Sequence, residues 1–146
     1  MRLNLIGPGR LGKALAASLI STGEHELLSV YHPKLTSAQH AVCALGHGMA
    51  IDNLKLLPKA DITFITCPDD KMPGLINKLS EAMIIQPNSI VMHLSGILSS
   101  DILMPLKQQG AHIASLHPLK AFRTASTPDT KALTAPSKEI IRLSIN

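Results

Sequence analysis

Residues 7–12 of this chain form a glycine-rich segment, Gly-Pro-Gly-Arg-Leu-Gly. It follows the apolar run of residues 2–6 and precedes a segment in which Leu11, Leu15 and Leu19 recur at helical spacing. A turn of the form Gly-x-Gly-x-x-Gly between a strand and a helix is typical of sites that bind the pyrophosphate of a dinucleotide. The sequence therefore predicts a dinucleotide site near its N-terminus.

Each glycine of this turn is predicted to have its own role. Gly7 permits the tight turn, Gly9 lets a pyrophosphate approach the backbone, and Gly12 lets the helix pack closely on the strand. Backbone N–H groups of the first helical turn, which includes Leu11, are expected to face the pyrophosphate, and Arg10 to add a charged contact. The alternative is a glycine turn with a purely structural role.

The rest of the chain alternates apolar runs with helical patterns, as βαβ units do. We predict an α/β, Rossmann-type three-layer fold with a mostly parallel sheet of about six strands. The predicted strands cover residues 2–6, 27–31, 49–51, 61–67, 89–94 and 111–116. The predicted helices cover residues 10–22, 37–45, about 70–82 and 99–109. Residues 1–123 form the predicted domain, and residues 124–146 are polar and turn-rich, as in a linker or the truncated start of another domain.

Composition and charge narrow the possible partners. The formal net charge is +4, but the 14 Lys and Arg residues are scattered and the only aromatic residues are Tyr31, Phe64 and Phe122. Because nucleic-acid binding usually needs a clustered basic face or stacking aromatic rings, we expect no nucleic-acid partner. The sequence has no stretch of about 18 apolar residues, so no membrane span is predicted. Cys43 and Cys67 are expected to be free thiols in a reducing cytoplasm.

The histidines and cysteines show no spacing typical of metal ligands, so no metal site is predicted. His93 falls within the fifth predicted strand, where a buried and hydrogen-bonded histidine is the expected outcome.

The end of the second predicted strand favours one coenzyme over another. Sites that bind NAD usually place Asp or Glu there to bind the ribose hydroxyls, whereas residues 31–34 here are Tyr-His-Pro-Lys. An acid would repel a 2′-phosphate, while Lys34, His32 and the hydroxyls of Thr36 and Ser37 could bind one. The sequence therefore favours NADP(H), with a solvated polar loop as the alternative.

In an open α/β sheet, ligands bind beyond the carboxyl ends of the strands. Cys67 ends the fourth predicted strand, Pro68 and Asp69 follow it, and we expect all three beside the cofactor. Hydride transfer to a carbonyl or imine also needs a proton donor. His117, at the end of the sixth predicted strand, and Lys120 are the candidates.

Four segments together resemble one family: residues 7–19, 67–72, 93–103 and 115–122, which read GPGRLGKALAASL, CPDDKM, HLSGILSSDIL and SLHPLKAF. The chain resembles the Rossmann-like NADP oxidoreductases related to pyrroline-5-carboxylate reductase. The resemblance covers about residues 2–123.

The resemblance implies further properties. Ser95 and Gly96 would lie beside a small-molecule substrate, with Ser95 a candidate catalytic residue. Relatives continue into a C-terminal helical domain that forms a homodimer, and on this comparison that domain is missing here. The arginine that relatives often carry after the second strand is replaced by residues 32–34, His-Pro-Lys.

Three function classes follow from these observations. The first is the NADP(H)-binding domain of an oxidoreductase that transfers hydride to or from a small carbonyl or imine. The second is a non-catalytic dinucleotide-binding module. The third is an S-adenosylmethionine-dependent methyltransferase, which is disfavoured because such enzymes usually place an acid after the second strand.

Overall fold

A seven-stranded sheet organises the computed structural model, which describes residues 1–118 and 141–145. The strands are β1 (Arg2–Ile6), β2 (Glu26–Tyr31), β3 (Met49–Ile51), β4 (Ile62–Ile65), β5 (Ile90–His93), β6 (His112–Pro118) and β7 (Ile141–Ile145). Their order is β3-β2-β1-β4-β5-β6-β7, and every neighbouring pair is parallel except β6 and β7. The predicted Rossmann-type α/β fold is confirmed.

Helices cover both faces of this sheet. They are α1 (Arg10–Ser21), α2 (Leu35–Leu45), α3 (Met72–Ala82) and α4 (Met104–Lys107), with short 3-10 helices at Leu54–Leu56 and Ser100–Leu103. One core cluster holds buried residues of α1 and α2, and a second holds those of α3 and α4. Among the described residues, no helix has the length and apolar character that crossing a lipid bilayer requires.

The central strand β1 is buried on both faces, which explains its nearly continuous apolar sequence. Its one polar residue in the core, Asn4, forms hydrogen bonds through both its amide nitrogen and its amide oxygen. The Asn4 side chain donates to the Pro58 carbonyl over 2.7 Å and accepts from the Ser29 hydroxyl over 2.9 Å. These contacts tie β1 to β2 and to the segment before β4, and they satisfy groups that would be costly to bury unpaired.

The strand order creates a switch point between β1 and β4. From β1 the chain moves outward through α1 to β2, and from β4 it moves the opposite way through α3 to β5. The connections diverge here, so a crevice opens above the carboxyl ends of these two neighbouring strands.

One predicted helix is wrong. The helical pattern at residues 99–109 predicted a single helix, but the structure has the 3-10 helix Ser100–Leu103 followed by the single turn α4. Pro105 lies at the start of α4, and a proline has no N–H to continue a helix from the preceding turn. The helical pattern also predicted that Ile102, Leu103 and Leu106 point inward: Leu103 and Leu106 are fully buried, and Ile102 is half-buried.

The edge strand β7 was not predicted from the sequence. It lies within residues 124–146, for which a polar linker or domain start was expected, and it pairs antiparallel with β6. In this pairing the backbone of His117 is opposite Arg142. Lys120 lies outside the described residues, so its predicted role and the domain boundary at residue 123 stay predictions.

Candidate functional site

The first glycine of the turn is required by the fold itself. Gly7 has a φ of +77°, and a Cβ atom there would lie 2.7 Å from the backbone nitrogen of Cys67. Its N–H donates to the Tyr31 carbonyl over 2.9 Å, and its own carbonyl accepts from the Thr66 hydroxyl over 2.5 Å. Gly7 therefore connects β1 with the ends of both flanking strands, β2 and β4.

The third glycine allows α1 to lie close to the sheet. A Cβ atom at Gly12 would overlap the Thr66 hydroxyl and would lie 3.2 Å from a methyl group of Leu5. Thr66 is a residue that the sequence analysis missed, although it follows β4 directly and its hydroxyl supports the glycine turn. Gly12 is buried beneath the turn, so its role is in packing.

Gly9 differs from both, because nothing among the described residues requires a glycine there. Its φ of −70° is open to any residue, and a Cβ atom would have no neighbour closer than the Thr66 carbonyl oxygen at 3.9 Å. Gly9 immediately precedes α1, whose first helical hydrogen bond runs from Lys13 N–H to the Gly9 carbonyl over 3.0 Å. Helix geometry leaves the N–H groups of Arg10 and Leu11 without intrahelical partners, which is the arrangement that binds anions.

A cleft of about 1010 Å³ opens at this position. Its lining comes from the glycine turn, the ends of β2, β4 and β5, and one face of α3. The lining residues are Ile6, Gly7, Pro8, Gly9, Leu11, Tyr31, His32, Pro33, Ser37, Thr66, Cys67, Pro68, Asp69, Asp70, Lys71, Gly74, Leu75, Lys78, Leu94 and Ser95. The volume is at the upper end of the range for small-molecule and cofactor sites.

Most of the predicted site residues whose side chains the structure describes line this cleft. Five of them do not: Arg10, Gly12, Lys34, Thr36 and Gly96. Arg10, Lys34 and Gly96 are exposed, and Lys34 uses its backbone N–H to donate to His32 Nδ1 over 3.0 Å. Three residues of α3, namely Gly74, Leu75 and Lys78, also line the cleft. The sequence did not identify them, although it showed a helical pattern after residue 70.

The charge near the end of β2 also differs from what the sequence predicted. The sequence suggested that no carboxylate lies there, but β3 pairs with β2 so that Ile51 is opposite Tyr31. Asp52 therefore follows β3 at the same edge. Burial raises the pKa of the Tyr31 hydroxyl, and the negative charge of Asp52 raises it further. A carboxylate from the neighbouring strand is present where the linear sequence showed none.

The predicted substrate residue Ser95 closes a tight turn. Its hydroxyl oxygen accepts from the N–H groups of Ile97 and Leu98 over 3.1 and 2.9 Å. His93 is buried as predicted: its Nδ1 accepts from the Ser95 N–H over 3.2 Å, and its Nε2 lies 3.1 Å from the Ser99 carbonyl. This network assigns the proton to Nε2. Because two N–H groups fill the acceptor positions of Ser95, its hydroxyl has only its proton left to offer a ligand.

Cys67 presents an unreactive thiol to the cleft. Burial raises the pKa of this thiol to about 11, and the carboxylates of Asp69 and Asp70 contribute in the same direction. The thiol is therefore protonated at neutral pH and acts as a small, weakly polar part of the wall. A role as a nucleophile is disfavoured, since the thiolate is the reactive form.

This pKa predicts slow alkylation of Cys67. At pH 7.4 we expect iodoacetamide to modify it about 100-fold more slowly than an ordinary thiol, because two pKa units lower the thiolate fraction by that factor. Mass spectrometry of the Cys43→Ser variant isolates Cys67, and Cys67→Ser leaves the exposed Cys43 as the reference. The rate should rise about tenfold per pH unit up to a pH near 11. Equal rates for the two variants at pH 7.4 would contradict this assignment.

Comparison with known proteins agrees with this geometry. The family model described as a Rossmann-like domain matches residues 1–118. The chain belongs to this Rossmann-like domain family. No curated protein matches it in sequence.

Within the described residues, no group of three or more His, Cys, Asp or Glu side chains could hold a metal ion.

Several solved structures share the fold. A putative NADP oxidoreductase from Bacteroides fragilis superposes with a TM-score of 0.72 at 18% identity, over 99% of this chain and 50% of its own. Arogenate dehydrogenase from Synechocystis gives 0.70 at 24% identity, over 85% and 43%. An imine reductase from Bacillus cereus gives 0.66 at 17% identity, over 82% and 41%. The chain thus spans half or less of the length of these structures.

Proposed function

We propose that the cleft binds NADP(H), with the pyrophosphate above Gly9. The observation that carries this proposal is the free space at Gly9, a position where the fold itself needs no glycine. The space adjoins the N-terminus of α1, where N–H groups and the helix dipole favour an anion. Close approach of a pyrophosphate to the backbone accounts for both features.

The two halves of the coenzyme would extend from Gly9 in opposite directions. Tyr31, His32 and Ser37 line the cleft on the β2 side, and Cys67 and Ser95 line it on the β4 and β5 side. In Rossmann folds the half that follows β1 and β2 holds the adenosine ribose. The nicotinamide would then lie near Cys67, within reach of the Ser95 proton.

NADP(H) is preferred over NAD(H) in this proposal, because the loop that ends β2 carries Lys34 and several hydroxyls but no acid. The carboxylate of Asp52 opposes this preference from β3. We expect tighter binding of NADPH than of NADH, and we expect Lys34→Asp to weaken NADPH by about 1–3 kcal/mol with NADH nearly unchanged. Calorimetric titration measures both constants. Equal affinities for the two coenzymes in the wild type would refute the preference.

The associated activity would be hydride transfer to or from a small carbonyl or imine, in the cytoplasm and as a homodimer. Solved structures with this fold include imine reductases. The sequence segments that resemble relatives of pyrroline-5-carboxylate reductase support the same proposal. A bound coenzyme supplies the hydride. Ser95 would donate a hydrogen bond in the cleft, and His117 and Lys120 are the proposed proton donors.

A non-catalytic dinucleotide module is the second candidate. It is favoured by the state of two cleft residues: the acceptor positions of Ser95 are occupied within its turn, and Cys67 is protonated. Assays with NADPH, cyclic imines and small keto acids separate the two functions. Turnover that is lost in His117→Ala, with coenzyme affinity intact, would favour the enzyme. Coenzyme binding without turnover would favour the module.

A further inference from the structure

One side of α3 lines the cleft through Gly74, Leu75 and Lys78, together with Lys71, the residue that precedes the helix. We call these four residues the cleft-facing stripe. An adjacent side of α3 is buried in the core through Met72, Ile76 and Leu79, and Leu75 packs partly against the same core. The cleft-facing stripe is therefore available to a ligand.

The charges on this stripe are unequal. Lys71 pairs with Asp70 over 3.4 Å, whereas Lys78 has no ion pair or hydrogen bond within the described part of the chain. These two are the only lysines or arginines among the cleft-lining residues that the structure describes. Lys78 is consequently the source of uncompensated positive charge along this wall.

Between the two lysines the wall is open and weakly polar. In the part of the chain that the structure describes, a Cβ atom at Gly74 would meet no atom within 4 Å, so no contact there requires a glycine in this helix. A glycine inside a helix lowers stability relative to alanine. Leu75 beside it is half-buried and apolar. An open glycine next to a leucine makes a shallow surface that suits the flat face of a purine ring.

α3 contacts α4 and the 3-10 helix Ser100–Leu103 on one flank, and on its other flank it reaches the adenosine side of the cleft. The helix contacts the 3-10 helix Leu54–Leu56, which follows β3, and it shares a core cluster with Tyr31 and Ile51 at the ends of β2 and β3. The cleft reaches His32 and Ser37 on the same side. An anionic group bound here would therefore lie near the ribose attached to the adenine.

We propose that Lys78 binds the 2′-phosphate of NADP(H) and that Gly74 and Leu75 contact the adenine. This inference rests on the proposed function and adds a specificity-determining residue to it. The 2′-phosphate carries a charge near −2, and Lys78 is the cleft cation that no carboxylate neutralises. Lys34 is exposed at the end of β2 and does not line the cleft, so in this proposal it would act on the same phosphate from the solvent side.

Titration of NADPH and NADH against matched variants tests this proposal. We expect Lys78→Gln to weaken NADPH by about 10- to 100-fold, the loss typical of a hydrogen bond to a charged group, and to leave NADH within about twofold. Lys78→Arg should restore most of the affinity. Lys71→Gln should have a smaller effect because Asp70 already pairs with Lys71. Lys107→Gln, on α4 and away from the cleft, is the control and should change nothing.

A second variant tests the adenine contact. Gly74→Leu has room within the protein, so we expect an unchanged circular dichroism spectrum and weaker binding of both coenzymes. Unchanged NADPH affinity in Lys78→Gln, or an equal loss for NADPH and NADH, would overturn the assignment of Lys78. Unchanged affinity in Gly74→Leu would overturn the adenine contact. A wild-type protein that binds neither coenzyme would instead refute the proposed function itself.

Discussion

Gly9→Asp is expected to abolish the binding of both NADPH and NADH while the protein stays folded. The added carboxylate would occupy the space above the N-terminus of α1 and repel the pyrophosphate. Like charges brought together at an interface cost several kcal/mol, which corresponds to more than about a 100-fold loss of affinity. Aspartate is also a preferred residue before a helix, so the stability of α1 should not suffer.

Calorimetry and urea denaturation together check this result. The matched control is Gln86→Glu, which adds the same charge at the opposite edge of the sheet, in the loop before β5. That control should bind coenzyme like the wild type. Retained affinity in Gly9→Asp would mean that the pyrophosphate lies elsewhere.

Gly7→Ala is expected to cause the largest loss of stability in the glycine turn. The left-handed backbone at this residue costs an alanine about 1–2 kcal/mol, and overpacking against the backbone of Cys67 adds about 1–3 kcal/mol. The total is a large part of the stability of a typical domain. Because the contact at 2.7 Å is with backbone atoms, a change of rotamer cannot relieve it.

Urea denaturation of Gly7→Ala and Gly9→Ser measures this difference. Gly9→Ser should keep the free energy of unfolding within about 0.5 kcal/mol of the wild type, because serine is also favoured before a helix and has space there. Equal stability of the two variants would contradict the distinct roles assigned to these glycines. Together the two variants distinguish Gly7, which the fold requires, from Gly9, which ligand binding requires.

Local sequence patterns predicted much of the fold. The strand β1, the turn at residues 7–12 and the helix α1 could be located because apolar period, glycine spacing and helix stop signals coincide there. The parallel sheet followed from the alternation of strands and helices. These features depend on residues that are close together in the chain, so they can be predicted from the sequence alone.

Features that depend on distant residues were not predicted. Asp52 reaches the end of β2 only because β3 pairs with β2, and no local pattern reports that pairing. Asn4 could not be matched with Ser29 and Pro58 for the same reason. The periodicity of α3 indicated a helix but not which of its faces borders the cleft. The apolar residues at helical spacing in residues 99–109 predicted one helix. In the structure Pro105 divides this segment into a 3-10 helix and α4.

A parallel calorimetric titration of the wild-type protein with NADPH, NADH and S-adenosylmethionine tests whether the cleft is a dinucleotide site. NADPH should bind with one site per chain, NADH should bind more weakly, and S-adenosylmethionine should give no binding heat. Binding of S-adenosylmethionine without either dinucleotide would contradict the assignment of the cleft, and so would the absence of binding by both NADPH and NADH.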